Sequence, residues 1–259
     1  SRGLHATDAS HYQMMPTCVV VPKDEEDCVQ AIQVAGQYRL PITPRGGATS
    51  LSGQTFGTGM VIDVSKHMDQ VLELNLQEQW VRVQPGVIRD LLNAQLAPHR
   101  LQFAPDPATS NRATVGGMIG NNASGTRSVV YGKTIDHVLS CKVALTDGTV
   151  MELEAVEDGD WQRKAAGDGR EAAIYRGIQE IVERNRKEIL ARYPKVMRRV
   201  SAYNLDEFVD GAGYTGPIGG RNLDGHRVWN LSNLIVGSEG TLGFLLEAKL
   251  RLTPLPTAT

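Results

Sequence analysis

Cysteine is scarce in this sequence, three in 259 residues, and aromatic residues make up only 5%. Cys18, Cys28 and Cys141 lie far apart and follow no metal-ligand spacing. An odd, sparse set of that kind fits a reducing compartment in which each thiol is a small buried apolar group. The six histidines (His5, His11, His67, His99, His137 and His226) form no HxH or HExxH pair, so no metal site is expected. The net charge of −2 offers no broad basic surface for nucleic acid. No apolar run approaches the ~18 residues of a membrane span, and no signal-peptide pattern opens the chain. A cytoplasmic protein is expected, reaching the inner membrane only through an electron acceptor. The first residue is Ser1 rather than Met, which reads as a chain that begins inside a longer protein or was processed.

Two phosphate-binding signatures are also missing. No lysine lies between Lys23 and Lys66, so the early glycine loop is not the G-x-x-x-x-G-K-[ST] of a P-loop NTPase. One G-x-G-x-x-G string occurs, at Gly211, Gly213 and Gly216. It follows a polar run and leads into Pro217, whereas a dinucleotide fold places it between a strand and a helix. It reads as part of an exposed, glycine-rich insertion over 210–227.

Glycine is abundant, 27 residues, and it is clustered. The stretch Pro44–Gln54, PRGGATSLSGQ, combines Gly46, Gly47 and Gly53 with Thr49, Ser50 and Ser52 behind a short apolar run. Successive N–H groups in such a turn make a concave anion site, and small hydroxyls add donors. Arg45 is expected to bring a permanent positive charge to its entrance. Two further clusters, Pro105–Gly132 and Gly237–Gly243, have the same chemistry. Three such clusters suggest one extended ligand, and a dinucleotide is long enough to touch all of them.

The segments between the clusters carry the periodicity of packed elements. Thr17–Val21, a helix over Asp24–Tyr38 with Val29, Ile32 and Ala35 inward, Leu40–Thr43 and Met60–Val64 form a small βαββ unit. Strands at Gln70–Leu74 and Trp80–Gln84 precede an amphipathic helix, Val87–Ala97, with Ile88, Leu91, Leu92 and Leu96 inward. Phe103–Lys133 has little hydrophobic period and reads as a binding segment. An Asp147-Gly148 turn joins strands His137–Leu145 and Thr149–Glu154. Glu157–Arg170 reads as an exposed loop, and Glu171–Tyr193 as a long helix with Ile174, Ile178, Ile181, Val182 and Ile189 inward. A last strand spans Gly243–Thr253.

In their order, PRGGATSLSGQ, PDPATSNRATVGGMIGNNASGTRSVVYG and VGSEGTLGFLLEAKLRLTPLP resemble the FAD-linked oxidase family, which shares the vanillyl-alcohol-oxidase (PCMH-type) flavin fold. The resemblance covers about His11 to Pro256 and looks closest to the D-2-hydroxy-acid dehydrogenase branch, with D-lactate dehydrogenase and the glycolate oxidase flavin subunit. It implies an α+β fold of two α/β subdomains clasping FAD, residues 1–75 and 76–259. It implies that the pyrophosphate sits on the N–H groups of Gly46, Gly47, Ala48, Thr49 and Ser50, with Arg45, Ser52 and Gly53 nearby. Pro105, Asp106, Thr109 and Ser110 would lie near the flavin. Thr114, Gly116, Gly117, Gly120, Asn122, Ser124 and Gly125 would follow the isoalloxazine and ribityl chain. Glu239, Gly240 and Gly243 would lie by the adenosine half or the closing strand.

Departures from the family pattern are informative. Where some members of the wider fold attach the flavin through a histidine, this chain has Ala48, and no cysteine lies between Cys28 and Cys141. A non-covalent FAD is therefore expected. The RRVSAYNLDEF run places Arg198 at the family's basic position, where a guanidinium suits a substrate carboxylate; a plain surface cation is the alternative. The C-terminal substrate cap with its histidine motif is absent from this chain, and larger relatives add an iron–sulfur domain. The implied reaction oxidises a small D-2-hydroxy acid of the lactate, glycolate or 2-hydroxyglutarate kind to the 2-oxo acid, with electrons passing to a non-NAD acceptor. A domain on its own would hold cofactor without turnover. The competing readings are a same-fold flavoenzyme of other chemistry, such as a sugar-lactone oxidase or enolpyruvyl reductase, and a non-catalytic nucleotide-binding module. His137, at a strand start, reads as structural.

Overall fold

A computed structural model describes residues 2–200, 203–209 and 228–256. The glycine-rich stretch 210–227, with its G-x-G-x-x-G string, lies outside the described residues. The chain begins with β1 (Cys18–Val20), α1 (Glu25–Gln37), β2 (Ile42–Arg45) and β3 (Met60–Asp63). The three strands form a parallel sheet in the order β1-β3-β2. Helix α1 starts where Asp24 accepts a hydrogen bond from the Asp27 N–H at 2.9 Å, with Glu25, Glu26 and Asp27 in the first turn against the positive end of the helix dipole. It buries Cys28, Ala31, Ile32 and Ala35, the spacing of one helical face, with Val29 partly buried beside them.

The remaining elements are β4 (Val71–Asn75), β5 (Trp80–Val83), α2 (Arg89–Leu96), β6 (Leu101–Gln102), α3 (Val115–Gly120), α4 (Ser128–Tyr131), β7 (Val138–Ala144), β8 (Val150–Glu157), α5 (Asp158–Ala166), α6 (Gly169–Arg192), β9 (Val228–Asn230), α7 (Ser232–Ile235), β10 (Phe244–Arg251) and β11 (Thr253–Pro254). Six of these strands make an antiparallel sheet, β4-β5-β10-β7-β8-β9, and β6 pairs with β11. The β7–β8 hairpin turns at Asp147-Gly148, where Gly148 has φ 86° and the Asp147 carboxylate accepts from the Thr149 N–H. Mixed helix and sheet was expected, and the structure has it.

Two hydrophobic cores result. One lies around α1 and β3, and Ala144, Phe244 and Leu246 from the large sheet enter it. The other gathers α2, α3, β7, β8, α5 and α6. Strand β10 alternates strictly, burying Phe244, Leu246, Ala248 and Leu250. Its first two buried residues serve the first core and its last two the second.

Several expectations are corrected. Glu157–Arg170 is not an exposed loop: Asp158–Ala166 is helical and buries Trp161 and Ala165. Two apolar anchors four residues apart define a helix face, but a polar run hides so sparse a period. The Trp161 ring meets Tyr175 edge-on at 4.6 Å and lies 6.0 Å from Phe208. In α2, Leu91 points outward at 61% exposure, and Arg89 is buried in its place. In α6, Ala172 and Tyr175 face inward while Ile181 is exposed. Cys28 and Cys141 are buried free thiols, but Cys18 is only half-buried. Phe103–Lys133 contains two short helices, α3 and α4, rather than irregular chain alone.

His137 is fully buried, with Nε2 at 2.7 Å from the Tyr131 carbonyl and Nδ1 at 3.4 Å from that of Arg251, so it is structural. Burial pushes its pKa below the ordinary 6.5, against the opposing pull of the Tyr131 carbonyl. The unfolded chain therefore takes up this proton first, and stability is lost as pH falls below 6.5. The urea midpoint is expected to drop between pH 7 and 5, with a shallower slope in His137→Gln. Leu246→Ala, in the strand shared by both cores, is expected to cost about 2–5 kcal/mol in urea unfolding. Leu91→Ser should change stability by about 0.5 kcal/mol or less.

Candidate functional site

Strand β2 ends at Arg45, and the chain leaves the sheet directly into the first glycine loop. The backbone N–H groups of Gly46, Gly47, Ala48, Thr49 and Ser50 donate to no acceptor among the described residues. The loop is held instead by the Ala48 carbonyl and by contact. Ala48 adopts φ 53° and its carbonyl accepts from the Ala9 N–H. A Cβ on Gly46 would stand 2.1 Å from Thr114 Oγ1, and one on Gly47 2.2 Å from the Arg112 carbonyl oxygen. The first cluster therefore lies directly against the second, with no room for any other residue type.

The third cluster closes the same space. Glu239 N–H donates to the Gly120 carbonyl and Gly237 N–H to that of Ile119, both at 2.9 Å. Gln54 of the first loop donates to the Glu239 carboxylate at 3.4 Å. Desolvation pushes the Glu239 carboxyl above its ordinary value, against the hydrogen bond from Gln54. The three clusters thus line one open cleft.

Of the residues expected at the cofactor, Arg45, Gly46, Gly47, Ala48, Thr49, Ser50, Thr109, Thr114, Gly116, Gly117, Gly120, Glu239 and Gly240 line this cleft. The others lie around it. Ser52 is exposed, and Gly53, at φ 81°, sits against the rings of Tyr12 and Phe56. The buried Pro105 offers its carbonyl to Arg89, and Ser110 donates to Asp90, so both anchor the second cluster to α2. Asp106 pairs with Arg127 at 3.2 Å. Asn122 is buried with its carboxamide oxygen accepting from the Ile135 N–H. Ser124 and Gly125 are partly buried beyond the cleft's lining, and Gly243 packs on Val143. Arg45 lines the cleft. Its guanidinium, expected at the entrance, donates to the carbonyls of Leu4, His5, Thr7 and Thr55, and desolvation lowers its pKa against Asp63 and Asp8. It straps the N-terminal segment to the loop.

Arg198 is exposed and donates to the Gly125 carbonyl at 2.7 Å. Arg199 is occupied by Asp206 at 2.5 Å and Asn204 at 2.9 Å. Tyr203, five residues beyond Arg198, places its hydroxyl 2.9 Å from Thr241 Oγ1 of the third cluster. Sequence reasoning missed the buried Arg89 and the cleft-lining Asn121, Pro85 and Phe244. Only Asn121 carried a signal, its place beside Asn122 in the second cluster.

A family model described as a FAD binding domain matches residues 16–154. The chain belongs to that family. The D-2-hydroxyglutarate dehydrogenase of Pseudomonas putida is 40% identical over 259 residues, covering 99% of this chain and 24% of that protein. The Escherichia coli enzyme of the same name is 37% identical over 254 residues, again 24% of its length. Glycolate oxidase subunit GlcD of Bacillus subtilis is 30% identical, with 98% of this chain and 41% of that subunit covered. The chain thus spans about a quarter of the dehydrogenases it matches, which belong to the branch its motifs resemble. An alkyldihydroxyacetonephosphate synthase superposes with a TM-score of 0.59 at 20% identity, over 93% of this chain and 32% of that one, a likeness of fold.

The cleft suits FAD on its own chemistry: five consecutive free N–H donors match pyrophosphate oxygens. Gly47→Val is expected to push the two clusters apart. FAD retention should fall sharply and the melting temperature by several degrees, with about 1–3 kcal/mol lost to overpacking. Ala108→Ser, at an exposed position, should change neither in the same thermal and flavin-content assays.

Proposed function

We propose that the cleft holds FAD non-covalently, between a unit of residues 1–75 and a unit of residues 76–259, and that the protein oxidises a small D-2-hydroxy acid to its 2-oxo acid. The observation that carries this is the run of free N–H groups at 46–50 where three glycine clusters meet. Bound FAD supplies the two-electron acceptor. The chain's own residues bind and orient it: the 46–50 backbone takes the pyrophosphate, and Thr109, Thr114, Gly116, Gly117 and Gly120 follow the flavin half. Glu239 and Gly240 lie toward the adenosine half, where a carboxylate can accept from ribose hydroxyls. The remaining expected contacts act through these: Pro105, Asp106, Ser110, Asn122, Ser124, Gly125 and Gly243 fix the walls, and Arg45, Ser52 and Gly53 fix the first loop.

Arg198 is the residue we assign to the substrate carboxylate. Its neighbour Arg199 is neutralised by Asp206, whereas Arg198 spends one visible bond on a carbonyl and is otherwise open to solvent. The names of the relatives support 2-hydroxyglutarate and glycolate as substrate types. A substrate cap beyond this chain and an iron–sulfur domain as electron acceptor complete the proposal. We place the protein in the cytoplasm, which the three free thiols support, with the inner membrane reached only through the acceptor. No helix among the described residues is long and apolar enough to cross a membrane.

An absorbance spectrum before and after acid precipitation tests the cofactor. Flavin bands that pass wholly into the supernatant are expected; a colourless protein that takes up no added FAD refutes the reading, and flavin in the pellet refutes the non-covalent link. For Arg198→Ala made in the full-length protein with its substrate cap, turnover of D-2-hydroxyglutarate, D-lactate and glycolate should show KM raised roughly 10- to 100-fold, the loss of a charge-assisted pair, with kcat changed less. An unchanged KM removes Arg198 from the substrate site.

A further inference from the structure

The first glycine loop is tied to a segment that precedes the sheet. Residues 4–9 bond the loop at three places. At its start, the Arg45 guanidinium donates to the Thr7 carbonyl at 2.8 Å, and to those of His5 and Leu4 at 3.4 and 3.5 Å. In its middle, the Ala9 N–H donates to the Ala48 carbonyl at 3.1 Å. At its end, the Thr55 hydroxyl donates to the Asp8 carboxylate at 3.1 Å. The segment is itself anchored to the small sheet. His5 Nε2 lies 2.9 Å from the carboxylate of Asp63, the residue paired with Arg45 in the β2–β3 register, and Ala6 is fully buried.

The middle tie has a geometric consequence. Ala48 holds φ 53°, a left-handed conformation unfavourable to a residue with a Cβ. Among the described residues, the Ala9 N–H is the one backbone group that bonds residues 46–54. A trans peptide sends its C=O and its N–H to opposite sides. Holding the Ala48 carbonyl on Ala9 therefore aims the Thr49 N–H away from the segment, and Thr49 lines the cleft. None of residues 4–9 lines the cleft, so their effect on a ligand there passes through the loop.

We propose that residues 4–9 form a strap that positions the first loop for FAD, and that Asp8 and Ala9 govern cofactor retention without touching the cofactor. The inference rests on the reading of the cleft as the FAD site. Arg45, expected beside the pyrophosphate, becomes the clasp of this strap. The relation is reciprocal by linkage: a strap that favours bound FAD is itself favoured by bound FAD.

The test uses two positions outside the cleft. Asp8→Ala removes the tie at Thr55, and Ala9→Pro removes the N–H that bonds Ala48. Purified native protein and both variants are stripped of flavin and titrated with FAD. FAD should bind about 3- to 10-fold more weakly to each variant, the loss of one hydrogen bond. In the native protein, saturating FAD should slow hydrogen exchange of the Ala9 amide by a similar factor. A segment that only adds stability would lower the melting temperature of the flavin-free variants and leave both readings unmoved. FAD affinity within about twofold of native in both variants overturns the inference, as does an Ala9 amide whose exchange ignores FAD. If neither variant folds, the exchange measurement on native protein decides alone. If Gly47→Val loses FAD while Asp8→Ala and Ala9→Pro keep it, the cleft stands and the strap does not; if native protein takes up no FAD, the cleft reading itself falls.

Discussion

The backbone contact at Gly46 and Gly47 sets the dimensions of everything that faces the cleft. Their missing Cβ atoms let the first loop lie against Thr114 Oγ1 and the Arg112 carbonyl, at separations no side chain would permit. Thr114 is also the cap of α3, accepting from the Gly117 N–H at 3.3 Å, so one hydroxyl ties the start of the second cluster to the side of the first. In the same loop the Ala48 carbonyl bonds protein, while the N–H groups of residues 46–50 find no acceptor among the described residues.

Hydrophobic packing holds that contact in place. Strand β10 contributes to both cores on one face and begins immediately after the third cluster, so the cleft's third wall is anchored by the same strand that joins the cores. On the strands' other face, Lys142 bonds Glu25 of α1 at 2.6 Å and lies 3.8 Å from Glu247. These partly exposed pairs add orientation more than stability. Around the cleft, buried polar groups do the fixing: Arg89 holds the carbonyls of Ala104 and Pro105 from α2, and Arg45 holds the N-terminal segment. The Arg45 guanidinium is spent on backbone oxygens and that of Arg89 on backbone oxygens and the Asp90 carboxylate, so neither is the free cation that a phosphate-binding loop suggests.

Much of this was legible from residue types alone. The Asp-Gly hairpin, the α1 face and the alternation of β10 follow from local propensity and period. The three clusters announced a ligand by composition. What stayed hidden depended on partners distant in sequence. Trp161 is buried because Tyr175, Phe208 and Trp229 surround it, and nothing in its own polar stretch says so. Leu91 and Arg89 exchange faces because the guanidinium finds carbonyls from residues 104 and 105, which repay its burial better than leucine's outward turn costs.

The sequence by itself determined the class of ligand, since only glycine and small hydroxyl residues can crowd a backbone around a pyrophosphate, and the ordered motifs carry the family. The tertiary structure decided which members of each cluster face the cleft. Adjacent residues such as Asn121 and Asn122 are indistinguishable as letters. Their places separate on folding: the Ile135 N–H claims the Asn122 carboxamide oxygen, whereas Asn121 lines the cleft. Hydrogen bonds are satisfied in space, between segments that meet only after the chain has folded.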